Sequence, residues 1–197
     1  MSITLITAPS SLAVTLTEAK ASLNVSFADD DTLITDMIEA ATILAQTMTN
    51  RQLMTATYDY KIDGFSNEIK IPRAPLASIT SVKYLDTDGV EQTLSSAVYD
   101  VDTDSVPGEI RLGYDQTWPS YRAVKQAIRI RFVCGYADSG ASPAVPNDNI
   151  PEVAKRWILL QVGNMYEHRE EYIAGAQFSR SKFADRLLMT LKVPDFA

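Results

Sequence analysis

Tyr58-Asp59-Tyr60-Lys61-Ile62-Asp63-Gly64 is the stretch where the chain changes its rhythm. Apolar and charged residues alternate with period two, the pattern of a strand with one face buried, and Gly64 ends it. Upstream the period is 3.6. Leu33, Ile34, Met37, Ile38, Ala41, Leu44, Ala45 and Met48 form an apolar stripe that predicts a helix from about residue 30 to 49, stopping near Thr49-Asn50. Asp29, Asp30 and Asp31 stand where free backbone N–H groups and the helix dipole favour negative charge, so capping accounts for them without a metal. A shorter helical stretch precedes it, Leu16 to Leu23, with Thr17 as its cap, Leu16 as a staple in front and Leu23 turned inward.

Downstream the period stays at two. Glu68 to Ile71, Ile79 to Leu85, Val90 to Leu94, Tyr99 to Val101, Glu109 to Leu112 and Ala127 to Val133 read as further strands. Asp88-Gly89 makes a hairpin of the run on either side of it, because glycine accepts the positive φ of a tight turn. In the last strand Ile128, Ile130 and Phe132 share one face and Arg129 and Arg131 the other. No helix long enough for a crossover separates these strands, which predicts a mainly antiparallel sheet or small barrel.

A turn-rich loop, 137 to 149, leads to Pro151 and Glu152, residues suited to a helix's first turn. The helix that follows, to about Arg169, contains Trp157-Ile158-Leu159-Leu160-Gln161-Val162, apolar around most of its circumference. That suits a central helix touching more than one element, or one with a face kept for a neighbouring subunit. From Ser181 to Leu191, Phe183, Leu187, Leu188 and Leu191 recur at helical spacing, too apolar to stay free in solution. The fold class is therefore α+β, a helical bundle with an inserted mainly antiparallel β-sheet or small barrel. Residues 1–53 are expected to be an N-terminal helical part, 54–136 a β-rich insertion, and 150–197 a C-terminal helical part completing the bundle.

With 197 residues, 46% of them hydrophobic and 22% charged, the chain can bury a core without a metal or disulfide staple. Residues 1–15 have no basic segment before an apolar run, so they do not read as a signal peptide, and no stretch has the length of a membrane span. Synthesis in a cytoplasm is expected. The net charge of −7 argues against tight binding of free duplex DNA, which needs clustered Lys and Arg. Six acids and one base fall in residues 1–50, against six acids and seven bases in 150–197, an asymmetry that fits either an incidental surface property or head-to-tail packing of identical subunits.

Chemistry-bearing patterns are few. Cys134, the single cysteine, ends an apolar strand and reads as a small buried hydrophobe. His168, the single histidine, sits in the mixed-charge run Glu167-His168-Arg169-Glu170-Glu171 and reads as a solvated cap. Asp100, Asp102 and Asp104 resemble the start of a calcium loop, but Ser105 and Arg111 occupy the positions that need glycine and glutamate. Trp157 reads as core, and Trp118 as a lid on the sheet core or an exposed anchor. No catalytic, cofactor-binding or metal-ligating residue is expected, and the chain is not expected to be an enzyme.

Several of these words, in this order, resemble the head-tail connector, or adaptor, family of long-tailed bacteriophages. They are Leu16-Thr17-Glu18-Ala19-Lys20, Asp29-Asp30-Asp31 with Leu44 to Arg51, Ile71-Pro72-Arg73-Ala74-Pro75-Leu76, Val82 to Gly89, Tyr99-Asp100-Val101, Phe132 to Tyr136, Val145-Pro146 and Glu167-His168-Arg169-Glu170. The resemblance implies a non-catalytic virion protein at the head-tail junction. It would form a ring of about twelve copies around a channel that DNA passes without sequence-specific binding. Its implied partners are the phage portal protein above and a head-completion or tail protein below. Lys182, Phe183, Arg186, Leu187 and Leu191, an apolar stripe with basic neighbours, are the expected partner contacts. Two other readings stay open at this point, a head-completion or tail-terminator virion protein and a small non-virion binding module.

Overall fold

The two periods of the sequence build two separate units in the computed structural model, which describes residues 1–136, 149–168 and 182–194. Among these, 1–10 and 55–136 form a sheet unit, and 11–54, 149–168 and 182–194 a helical unit.

The sheet unit contains β1 (Ser2–Thr7), β2 (Ala56–Ile62), β3 (Glu68–Lys70), β4 (Leu76–Leu85), β5 (Glu91–Thr93), β6 (Tyr99–Asp102), β7 (Glu109–Leu112) and β8 (Ile128–Cys134). They hydrogen-bond in the orders β1-β2-β8-β4-β5 and β3-β7-β6, every pairing antiparallel. The small barrel, one of the two forms the alternation allows, is not formed. Closure needs the outermost strands to pair, and among the described residues β1 pairs only with β2, β5 only with β4. β1 is an addition to the expected strands.

One apolar cluster serves both sheets: Tyr60, Ile62, Val82, Ile128, Ile130 and Phe132 from the larger, Ile69, Tyr99 and Ile110 from the smaller. Where the sheets approach, Gly108 leaves no room for a side chain, since a Cβ there would strike Leu76. Phe65 stacks on Trp118 with ring centroids 4.5 Å apart and Tyr121 meets Phe65 edge-on, so Trp118 is the lid and not an exposed anchor. At the root of the unit Ala56 stands opposite Cys134, so the chain enters and leaves through adjacent strands. On the polar face Asp59 lies opposite Arg131 and, though expected in solvent, is only 4% exposed.

The helical unit holds α1 (Leu16–Leu23), α2 (Asp31–Thr49), α3 (Glu152–Glu167) and α4 (Lys182–Met189). The cap of α1 is Thr15, not Thr17. Thr15 has extended backbone and Glu18 lies three residues on, so the Glu18 N–H donates to Thr15 Oγ1 at 3.2 Å while the Thr15 N–H donates to Glu18 Oε2 at 2.7 Å. The aspartates before α2 also differ from expectation, because Asp30 makes no side-chain cap. Its Oδ2 accepts from the Tyr166 hydroxyl at 2.6 Å and Asp31 Oδ1 pairs with Lys20 Nζ at 2.5 Å, so the acids tie α2 to α3 and α1. Asn50 closes α2 in the left-handed conformation. Pro151 stands one place before the first turn of α3, and that helix packs on α1, α2 and α4, as its broad apolar circumference suggested.

α2 buries only half of its apolar arc. Ile34, Ile38, Ala41 and Ala45 are in the core with Thr42 and Thr49, whose hydroxyls donate back to the carbonyls four residues earlier. Leu33, Ile43 and Leu44 are exposed and Met37 is half-buried. Leu33, Met37, Ala40 and Leu44 fall at i, i+4, i+7 and i+11, a second stripe pointing away from the core, and Asp36 and Glu39 are exposed beside it.

Candidate interaction surface

α4 is amphipathic within its own eight residues. Ala184 and Leu188 are buried, whereas Phe183 is 72% exposed, Leu187 40%, and Arg186 is open. The inner side is fixed by polar ties as well as packing. The Trp157 indole N–H donates to Asp185 Oδ1 at 3.1 Å, the Val193 N–H donates to the Thr49 carbonyl at 2.9 Å, and Arg51 Nε donates to the Leu191 carbonyl at 2.6 Å. The C-terminal segment thus packs on its own unit and holds Phe183 and Leu187 outward.

α3 supplies the rest of the surface. Glu152, Arg156 and Leu160 recur every fourth residue as an exposed ridge, and the buried side of the helix carries Trp157 and Ile158. Between ridge and α4 lies a shallow cavity of about 200 Å³ lined by Glu152, Val153, Arg156, Trp157, Leu160, Ala184 and Leu187. The walls are mainly apolar, with Arg156 and Glu152 at the margin. Such a surface suits burial of apolar side chains with a charged rim, the anatomy of a protein interface.

Of the five expected contact residues, the structure sets Phe183, Arg186 and Leu187 together on one helix with open side chains. Lys182 opens that helix and its side chain lies outside the described set. Leu191 falls beyond the helix end and is half-buried. Leu160, 53% exposed, was not among the expected contacts. Its signal was the run Leu159-Leu160, apolar on a side the core did not need.

The patterns read for chemistry take structural parts. Asp102 Oδ1 accepts from the N–H groups of Asp104 and Ser105 at 2.9 and 3.0 Å, which makes the acidic stretch a turn. Cys134 is fully buried and burial pushes its thiol up to about 12, only partly opposed by Arg73. His168 belongs to the other unit, where its backbone N–H caps α3 by donating to the Asn164 carbonyl at 3.0 Å. Among the described residues no three His, Cys, Asp or Glu side chains are placed to hold a metal ion.

Comparison with known proteins agrees on this architecture. The chain is similar in fold to a chain in the neck of an empty GTA particle, with TM-score 0.78 and 19% identity over 100% of this chain and 98% of that one. It is equally similar to chains in the virion of a native gene transfer agent particle (TM-score 0.77, 18% identity) and in the neck of a native GTA particle (TM-score 0.75, 17% identity), each alignment covering 100% of this chain and 98% of the other. No curated protein matches it. Residues 13–107, from just before α1 to just past β6, match the family model of the phage gp6-like head-tail connector protein.

Proposed function

We propose that this chain is a structural connector of a phage or gene-transfer-agent neck, one subunit of a ring of about twelve that docks beneath a portal and carries the genome channel toward the tail. The observation that carries this reading is the outward apolar surface of the helical unit. Phe183, Leu187 and Leu160 are held in solvent by helices whose other sides are packed, and α2 carries a second bare stripe. A monomer gains nothing from such surfaces, while a subunit with neighbours on both sides uses them. The net charge of −7 fits a channel along which DNA slides without sticking.

Light scattering of the purified chain over a wide concentration range, alone and with portal protein, tests this. A closed species of about twelve copies, or a stable complex with the portal, supports the connector reading. A chain that stays monomeric and ignores the portal overturns it, and copurification with a tail component alone moves it to another level of the neck.

A further inference from the structure

The sheet unit has four outer strands, β1, β5, β3 and β6, and three of them are blunted. β5 and β3 are three residues each and carry Glu91, Glu68 and Lys70, all in ion pairs, while β6 has four residues and carries Asp100 and Asp102. Brevity and charge keep a free strand edge from pairing with another chain. β1 has neither. Ser2-Ile3-Thr4-Leu5-Ile6-Thr7 is six residues without a charge or a proline, and its register with β2 is regular from Ser2 to Leu5, ahead of a bulge at Ile6. Along its outer side every second backbone N–H and C=O lacks a strand partner among the described residues.

The inner side of β1 is unfinished too. Ile3 stands opposite Tyr60 and Leu5 opposite Tyr58, so both extend the apolar layer between the two sheets, yet they are 39% and 47% exposed. Beside them a groove of about 720 Å³ reaches β3, with Ile3, Tyr60, Ile62, Ile69 and Pro72 along it and Glu68 at its polar side. One more strand next to β1 would pair the free backbone groups and send every second side chain toward this groove.

We propose that an extended, uncharged segment of a different neck protein adds to β1 as a further strand of the larger sheet, with its alternate apolar side chains in the groove. This rests on the connector reading, which also rules out a second copy as the occupant. Two β1 edges pair only about a two-fold axis, and neighbours in a ring whose subunits all face the same way are not related by one. The short, charged edges of another copy match β1 neither in length nor in apolar alternation.

The test reads residue-level cross-links in particles assembled with the full chain. Cys134 is fully buried and Thr4 is exposed, so a short photoreactive group attached through Thr4→Cys marks the β1 edge alone. Links to neighbouring residues of one uncharged segment in a portal, head-completion or tail protein are expected. Leu5→Lys, which sets a charge on the groove side of β1, is expected to lower the yield of those links at least about tenfold, while the purified variant unfolds at the wild-type temperature and Leu5→Val links as wild type does. Links confined to copies of this chain, no links at all, or a Leu5→Lys variant that links as wild type does overturn this inference and leave the connector reading standing. Particles that assemble without the chain overturn the connector reading, and this inference with it.

Discussion

Arg131 grips Asp59 with two parallel hydrogen bonds, Nε to Oδ1 at 2.7 Å and Nη2 to Oδ2 at 2.9 Å, across the β2–β8 register. The hydrogen bond to Arg131 holds the Asp59 carboxyl below the usual carboxylate range against the opposing effect of burial. Removing the guanidinium alone strands a buried charge, whereas removing both charges does not. Arg131→Ala is therefore expected to lower Tm more than the double variant Asp59→Asn/Arg131→Ala. The pH dependence follows in sign. A depressed folded-state pKa stabilises above the unfolded value near about 4 and loses that contribution as pH falls through the folded value. Acid unfolding of Asp59→Asn should be shallower than that of wild type in this range, and equal slopes would remove Asp59 from the account.

Cys134 is expected to be chemically silent while the chain is folded. With the thiol pushed up to about 12 and no exposed surface, roughly one molecule in ten thousand carries a thiolate at pH 8. Ellman's reagent should react only as fast as the sheet unit opens, and promptly in denaturant. Stoichiometric reaction within minutes in native buffer contradicts this.

The two sides of α4 should respond oppositely to substitution. Leu188→Ala empties a fully buried site and is expected to cost about 2–4 kcal/mol, seen as a fall in the denaturant midpoint. Phe183→Ser changes a largely exposed residue and should move that midpoint by no more than about 0.5 kcal/mol, yet weaken assembly. A large stability loss at Phe183 would mean that it packs within its own chain.

Gly108 is a packing glycine. Its backbone runs against Leu76, so Gly108→Ala is expected to cost about 1–3 kcal/mol through overpacking. Pairing it with Leu76→Ala removes the collision with Cδ2 but leaves Leu76 Cβ, the atom nearest the added methyl, so only part of the loss should be recovered. Full additivity in the thermal unfolding of the two single variants and the double would show that the contact is slack.

Much of this architecture is written in local pattern. The change from 3.6 to 2 between Met48 and Tyr58 separates the units, Asp88-Gly89 marks the hairpin, and β7 occupies Glu109–Leu112 as its alternation demanded. What pattern missed has physical causes. β1 alternates only over Ile3 to Ile6, and its partner β2 lies fifty residues away in sequence, so nothing near it announces a strand. Thr15 and Thr17 are both plausible caps, and only the glutamate three residues on from Thr15 separates them. Leu191 continues the spacing of Phe183 and Leu187 beyond the point where the helix stops at Met189, and periodicity carries no stop signal there. Most of all, an apolar arc looks the same whether its chain or another covers it. Leu33 and Ile34 are neighbours in one stripe of the sequence, yet Ile34 is core and Leu33 faces solvent.

Because Ala56 and Cys134 face each other, the helical sequence on either side meets the sheet unit as a single closed loop whose ends already touch. Lengthening such a loop costs entropy only logarithmically. Natural selection can therefore enlarge, trim or redecorate everything between those two rungs without retuning how the helices pack, with β1 along the edge as the other strand that must keep step. Size variation among relatives should concentrate there, which makes the sheet unit the adaptable part of the chain.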